Sequence, residues 1–298
     1  MTSSMDAHIV EMVDQHDANS SFAAFDHSDN PVSAFGLKEN PFRDSVNPDY
    51  FFRTTAHEDA YLKMKKCISE NISMGITTAR SGTGKTLLTQ ILLHELNEGS
   101  YRPALILAYP RISRSALLKE LAAELEIEGL RSRPSLHDLI GAVQERIYDL
   151  HSEGLKPVFI IDEVHFMGGD TLHLLRTLSN IETAEKKLLT ILLFGEETFL
   201  EKLEKPKYRA ILSRAFVRAR LRALEQDEVE QYIKFRCLMA GGSGEIFTPE
   251  TFGTIYEATE GIPREINRLC HNALSVAEEA GQKKITSSII NTAIEKGI

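Results

Sequence analysis

Cysteine is scarce and scattered in this chain of 298 residues. Cys67, Cys237 and Cys270 lie far apart, with neither a Cys-x-x-Cys pair nor the Cys/His spacing of a metal site. Isolated cysteines of this kind argue against a structural zinc ion and favour a reducing cytosol.

Long apolar runs are also missing. None approaches the roughly 18–20 residues that a membrane-spanning helix needs. The first residues carry acids and no basic segment, unlike a secretion signal. We therefore expect a cytoplasmic protein without a membrane span.

Positive charge is in deficit, because 34 Lys and Arg stand against 43 Asp and Glu, a formal net charge of -9. This balance argues against broad non-specific binding of nucleic acid, although a local basic patch remains compatible with it. Hydrophobic residues make up 42% of the chain, which is ample for a core. The length fits one large domain or one domain with a smaller one.

The most informative motif is a glycine-rich loop at residues 79–86, which reads Ala-Arg-Ser-Gly-Thr-Gly-Lys-Thr. The pattern Gly-x-x-x-x-Gly-Lys-[Ser/Thr] wraps backbone N–H groups around nucleotide phosphates, aims its lysine at the β- and γ-phosphates and places its hydroxyl on Mg²⁺. Lys85 and Thr86 match those two positions, while Ala79 stands where the first glycine is usual. The predicted nucleotide-binding residues are Ser81, Gly82, Thr83, Gly84, Lys85, Thr86 and Leu87.

The flanks of the loop support this interpretation. Met74–Thr78 is typical of a short strand, and the leucines of Leu87–Leu96 recur at helical spacing. A glycine loop between a strand and a helix N-terminus favours anions through its unpaired amides and the helix dipole. The alternative is a solvated Gly/Ser/Thr turn, which does not explain the flanks. We therefore expect ATP to bind at this loop, although a Cβ at Ala79 restricts the backbone there.

A second motif indicates hydrolysis. Pro157–Glu163 is a continuous apolar run that ends in two acids, as expected of a buried central strand in a parallel sheet. Acids at its carboxyl end lie where open α/β sheets bind ligands. We assign Asp162, with Thr86, to Mg²⁺, and Glu163 to the general base that polarises the attacking water. Two acids after a strand can also serve only to solvate a loop.

The order of the predicted elements defines the fold class. Strands at Met74–Thr78, Ala104–Tyr109, Pro157–Glu163 and Leu188–Phe194 alternate with helices, which indicates an α/β parallel sheet flanked by helices. From about Leu224 only helices are predicted, so we expect a small all-helical lid domain.

The expected domains are a disordered tail at residues 1–36, a nucleotide-binding α/β domain at residues 37–223 and the lid at residues 224–298. Phe22, Phe25 and Phe35 leave open a second interpretation of the tail, as a segment that docks elsewhere.

Short segments spread over about residues 40–298 carry a family resemblance. They are Asn40-Pro41-Phe42, Ser81–Thr86, Ile160–Glu163 with Val164-His165, Phe194-Gly195, Ser213-Arg214, Tyr232–Arg236 and Gly261–Asn267. With these segments the chain resembles an AAA+ ATPase, and within that superfamily the general secretion pathway protein A group. That group is itself similar to the ATPase regulators of Tn7-like transposition.

The resemblance implies further catalytic residues and an assembly. Arg264, in Gly-x-Pro-Arg, matches the lid arginine that senses the nucleotide phosphates, and helix capping is the alternative role. Arg214, with Arg209 behind it, matches the arginine that one subunit offers to its neighbour's γ-phosphate, and a surface salt bridge is the alternative. The resemblance therefore implies a homo-oligomer, either a ring or a filament.

The sequence also departs from the family pattern. Besides Ala79, Glu196 stands where relatives often have glutamine, and a negative charge near phosphate is unfavourable unless it is paired or points away. Tyr109-Pro110 replaces the asparagine that relatives place before a proline to hold the catalytic glutamate in check. The membrane span and peptidoglycan-binding region of the secretion proteins are not found, so a role in cell-wall export does not transfer.

Two kinds of partner remain open. The first is a protein client that the ATPase remodels or recruits. The second is DNA, for which the basic residues Arg111, Arg114, Lys119, Arg131 and Arg133 are candidates. Acids interleaved with them favour a solvated surface instead. A slowly hydrolysing nucleotide switch is the third interpretation.

Overall fold

The computed structural model describes residues 32–43, 45–97 and 99–297. Residues 1–31 of the predicted tail therefore lie outside the described residues. Its last part is ordered, because Ser33–Phe35 forms a 3-10 helix and both Val32 and Phe35 are buried. For residues 32–36 the expectation of disorder is wrong, since their apolar side chains enter a core.

Two compact units make up the structure. One, the α/β unit, spans residues 55–222, and the other, the helical unit, combines the chain up to Thr54 with residues 223–298. The sequence placed residues 37–54 with the nucleotide-binding domain. Their apolar side chains instead pack with the C-terminal helices, and Leu37, Phe42 and Phe52 belong to that core.

The α/β unit contains five strands and seven helices along its described residues. The strands are β1 (Met74–Ala79), β2 (Tyr101–Leu107), β3 (Lys156–Asp162), β4 (Thr190–Glu196) and β5 (Val217–Arg220). The helices are α1 (Thr55–Ser69), α2 (Lys85–Asn97), α3 (Arg114–Glu124), α4 (Leu136–Ser152), α5 (Gly169–Leu178), α6 (Thr198–Glu204) and α7 (Arg209–Leu212).

All five strands are parallel, in the order β2-β3-β4-β1-β5. Strands β1, β3 and β4 are almost entirely buried, as expected of central strands in a parallel sheet, and β3 and β4 are correspondingly apolar in sequence. Their carboxyl ends lie at one edge of the sheet and present Ala79, Asp162 and Glu196 there. The predicted parallel α/β sheet flanked by helices is confirmed.

Strand β5 was not predicted. Its sequence, Val-Arg-Ala-Arg, has little apolar content, because it is an edge strand with one neighbour, β1. Both arginines are exposed, and only Ala219 is buried. A strand with a single buried position gives a weak sequence signal.

The helical unit contains four α-helices along its described residues, in the part of the chain where the sequence predicts only helices. They are α8 (Gln226–Met239), α9 (Thr251–Thr259), α10 (Pro263–Glu279) and α11 (Ser287–Glu295). Gly261 has a φ of +69°, and a Cβ there would lie 2.0 Å from the carbonyl oxygen of Leu224. Glycine is therefore required at this position, which brings the Gly-Ile-Pro segment against the start of α8.

A buried arginine ties the N-terminal segment to these helices. Arg236 on α8 donates from Nε to the carbonyl oxygen of Pro41 at 2.5 Å and from a terminal nitrogen to the hydroxyl of Tyr232 at 2.8 Å. Its guanidinium also lies over the rings of Phe42, Tyr50 and Tyr232 at 4.8–5.9 Å from their centroids. Hydrogen bonds and cation–π contacts thus compensate the burial of this charge.

We predict that Arg236→Met destabilises the chain by about 1–3 kcal/mol, because it leaves the Pro41 carbonyl and the Tyr232 hydroxyl without their donor. Urea unfolding followed by circular dichroism measures this. Arg268→Met is the matched control on α10, where the exposed arginine pairs with Glu265, and we expect about 0.5 kcal/mol or less. Equal stability of the two variants would contradict the role of Arg236.

Candidate nucleotide-binding site

The glycine-rich loop joins β1 to α2, as the sequence predicts. Ala79 is the last residue of β1 and pairs with Glu196 in extended backbone, where a Cβ is tolerated. The left-handed positions of the loop are Gly82 (φ 80°) and Gly84 (φ 99°). The missing first glycine therefore does not prevent the turn.

Two side chains hold the loop in shape. Thr83 donates its hydroxyl to the carbonyl oxygen of Arg80 at 2.8 Å, across the turn. The buried His57 on α1 donates from Nε2 to the carbonyl oxygen of Thr83 at 2.9 Å. A Cβ on Gly84 would lie 3.0 Å from the same Nε2, so this glycine also makes room for His57. The predictions did not include His57, since no pattern in the sequence links α1 to the loop.

Lys85 begins α2 and is buried. Its ammonium lies 3.5 Å from the carbonyl oxygens of both Ala79 and Arg80, at the long limit of a hydrogen bond. Such weak bonds hold the ammonium over the loop and are easily exchanged for the stronger, charge-assisted bonds of a phosphate.

Thr86, the residue after Lys85, is hydrogen-bonded to Asp162 at the end of β3. The Thr86 hydroxyl donates to Oδ2 of Asp162 at 3.0 Å, and the backbone N–H of Glu163 donates to Oδ1 at 2.8 Å. Asp162 is 2% exposed, so this bond lies inside the sheet edge. The two residues predicted to hold Mg²⁺ are thus brought together.

The donor set fits Mg²⁺. One carboxylate and one hydroxyl are hard oxygen ligands, and Mg²⁺ in nucleotide sites takes its remaining ligands from phosphates and water. Within the described residues, no cluster of three or more His, Cys, Asp or Glu side chains could hold a metal without such help.

Glu163 adopts an unusual backbone conformation. Its φ of 53° and ψ of 33° lie in the left-handed region, which is strained for a residue with a side chain. The 3-10 turn Val164–Phe166 follows at once, and Oε2 of Glu163 lies 3.2 Å from Nδ1 of His165. Strain of this kind often marks a functional residue.

The end of β4 packs against that turn. A Cβ on Gly195 would lie 2.9 Å from Cγ1 of Val164, so only glycine allows this approach. Glu196 then lies 4.0 Å from Nε2 of His165, while Glu197 accepts from Nε of Arg220 at 2.8 Å. Glu196, for which the sequence indicates no partner, therefore has the imidazole of His165 beside it.

Residues 69–203, which include the loop and Glu163, match the AAA domain family. The general secretion pathway protein A of Aeromonas hydrophila is 31% identical over 262 residues, which cover 87% of this chain and 47% of that protein. The chain thus spans about half the length of this relative.

Solved structures extend the likeness to the whole fold. Cdc6p from Pyrobaculum aerophilum has a TM-score of 0.68 at 15% identity, over 89% of this chain and 70% of that chain. The Aeropyrum pernix ORC1 protein in complex with DNA has a TM-score of 0.64 at 15% identity, over 87% of this chain and 69% of that chain. The Thermotoga maritima RuvB branch migration motor has a TM-score of 0.53 at 14% identity, over 86% of this chain and 73% of that chain.

The fold is of the AAA+ type. This confirms the AAA+ resemblance at the level of fold. The 31% identical relative supports the predicted resemblance to the secretion protein A group, while the link to Tn7-like regulators stays a prediction. Along the described residues, no helix combines the length and apolar character needed to cross a bilayer.

The predicted arginines occupy different parts of the AAA+ fold. Arg214 lies between α7 and β5, half-buried, two residues before Phe216, which is 79% exposed. Arg209 is exposed at the start of α7. Arg264 lies exposed in the first turn of α10, in the helical unit. Their action on a nucleotide stays a prediction.

The alternative role of Arg214 as a salt-bridge partner has limited support. The nearby Glu182 forms its ion pair with Lys187, and Arg214 is a lesser contributor to the lowered pKa of that carboxyl. Tyr109, at the position proposed to restrain the catalytic glutamate, is 46% exposed beyond the end of β2.

Proposed function

We propose that this protein binds ATP with Mg²⁺, hydrolyses it, assembles with copies of itself and uses the cycle to remodel or recruit a macromolecular partner. One observation carries the proposal. The Thr86 hydroxyl and the Asp162 carboxylate meet 3.0 Å apart, beside the buried ammonium of Lys85 and one residue before Glu163. Phosphoryl transfer needs this combination of cation, metal ligands and water-positioning acid.

Each residue has a defined task in the proposed reaction. The backbone N–H groups of the loop and the ammonium of Lys85 bind and orient the phosphates. Thr86 and Asp162 would hold Mg²⁺, which would neutralise part of the phosphate charge. Glu163, whose side chain is 30% exposed, accepts a proton from the water that attacks the γ-phosphate.

Binding and hydrolysis separate in two variants. We predict that Lys85→Ala abolishes ATP binding, whereas Glu163→Gln retains binding and stops turnover, because the amide cannot accept the proton. Equilibrium binding of a fluorescent ATP analogue and phosphate release measure the two effects. Lys63→Ala on α1, which removes an exposed lysine paired with Asp59, should change neither. Turnover of Glu163→Gln at the wild-type rate would refute the assignment of the base.

Assembly is proposed from the position of Arg214. The α7–β5 connection carries a half-buried guanidinium and the exposed ring of Phe216, a combination suited to a subunit contact. An arginine that contacts a neighbour's γ-phosphate is worth about 10³–10⁵ in rate in well-studied nucleotide hydrolases.

For wild type, the ATPase rate per subunit should rise with protein concentration. For Arg214→Ala, we predict a rate at least about tenfold lower at high concentration, with unchanged ATP affinity of the isolated subunit. Rates measured across a dilution series, with light scattering for assembly, test this. Lys205→Ala serves as the control for an exposed cation in the same region. Equal loss of affinity and rate in Arg214→Ala would exclude a role in trans.

A protein client is the partner that we favour, and DNA is the second candidate. All five basic residues are exposed: Arg111 in the turn before α3, Arg114 and Lys119 on α3 itself, and Arg131 and Arg133 in the loop before α4. Two AAA+ structures with a similar fold are described as DNA-bound or as a Holliday junction motor. Against DNA, the net charge is -9, and Glu120, Glu124, Glu126 and Glu128 are interleaved with these bases in the sequence.

A protein client predicts that duplex DNA leaves the ATPase rate unchanged at both low and moderate salt. Phosphate release with and without duplex DNA at about 50 and 200 mM salt tests this. Stimulation at 50 mM that fades at 200 mM would favour the DNA-bound function, because phosphate contacts release counterions. In that case Arg131→Glu/Arg133→Glu should remove the stimulation and leave the basal rate intact.

A further inference from the structure

One imidazole lies between two carboxylates at the carboxyl edge of the sheet. Nδ1 of His165 is 3.2 Å from Oε2 of Glu163, and its Nε2 is 4.0 Å from Oε2 of Glu196. The His165 side chain is only 14% exposed. The Nδ1 contact is within ion-pair distance but is not aligned as a hydrogen bond.

Several contacts outside the imidazole fix its position. Lys202 on α6 donates to the carbonyl oxygens of His165 at 3.3 Å and Met167 at 2.5 Å, one on each side of Phe166. The Phe166 ring lies 4.1 Å from the imidazole, centroid to centroid. Gly195 allows the turn to approach β4. Gly195, Lys202 and Phe166 thus all contribute to the position of this histidine.

The second carboxylate needs a partner because of where it lies. Glu196 is opposite Ala79 in the pairing of β4 with β1, directly beside the start of the phosphate-binding loop. A lone carboxylate at this position would repel the phosphates. Its neighbour Glu197 is already bound to Arg220, which leaves His165 as the polar group facing Glu196.

We propose that His165 is a positioning residue that holds the Glu163 and Glu196 carboxylates on either side of its imidazole. The arrangement fixes the orientation of Glu163 and keeps the Glu196 charge away from the phosphates. This inference rests on the proposed hydrolysis of ATP. It also explains how Glu163 is restrained in a chain where Tyr109 points out beyond β2.

A kinetic test separates positioning from binding. His165→Ala should lower kcat by about tenfold or more, because Glu163 loses its orientation, and should leave the Tm nearly unchanged. The Kd for an ATP analogue should rise by only about threefold, through the released Glu196 charge. His137→Ala, which removes an exposed histidine at the start of α4, is the control and should keep full activity. A Kd that rises as much as kcat falls would overturn the proposal.

A double-mutant cycle tests the link to Glu196. Once Glu196→Gln has removed the repelling charge, adding His165→Ala should no longer raise the Kd for the ATP analogue, although it should still lower kcat through Glu163. The same rise in Kd in both backgrounds would mean that His165 does not act on Glu196.

A spectroscopic measurement makes the test independent of catalysis. In the NMR spectrum of the nucleotide-free chain, the imidazole cross-peak that disappears in His165→Ala should shift in both Glu163→Gln and Glu196→Gln, while the other histidine peaks stay in place. If the wild-type chain hydrolyses ATP but the His165 peak moves in neither variant, this inference alone is overturned. If the His165 peak moves but the wild-type chain has no ATPase activity, the proposed function is overturned and the contact stands.

Discussion

The site depends on the hydrogen bond between the Thr86 hydroxyl and the Asp162 carboxylate. It joins the first turn of α2, which follows β1, to the end of β3. These segments are distant in sequence, and β4 lies between β1 and β3 in the sheet. Because Asp162 is almost fully buried, the bond lies where the dielectric constant is low and a bound metal would be strongly attracted. The proposed positions of the Lys85 ammonium, the metal and the Glu163 carboxylate all depend on this hydrogen bond.

Elsewhere in the chain, polar side chains hold neighbouring backbone segments in place through hydrogen bonds. His57 holds the phosphate loop from behind, and the turn that carries His165 is held by Lys202 and by the missing Cβ of Gly195. In the helical unit, Arg236 plays the corresponding role and fastens the segment before α1 to α8. Rigid supports of this kind let a site keep its geometry without extra ligands.

The sequence predicted what depends on neighbouring residues and failed where distant residues decide. The P-loop, the β3 acids and the four C-terminal helices have local patterns, and all lie where they were expected. The docking of residues 32–54 depends on Arg236, almost 200 positions away, so no local signal revealed it. Likewise, Val-His after Glu163 gave no indication that His165 faces Glu196, because only the register of β3, β4 and the turn brings them together. Strand β5 was missed because an edge strand needs few apolar residues.

Calorimetric titration of ATP into the wild-type chain, with Mg²⁺ and then with EDTA, tests the central claim most directly. The convergence of Lys85, Thr86 and Asp162 predicts binding of one nucleotide per chain that weakens when the metal is removed. ATP binding that is equally tight without the metal would contradict the role of the Thr86–Asp162 pair. An absence of binding at millimolar ATP would contradict the account as a whole.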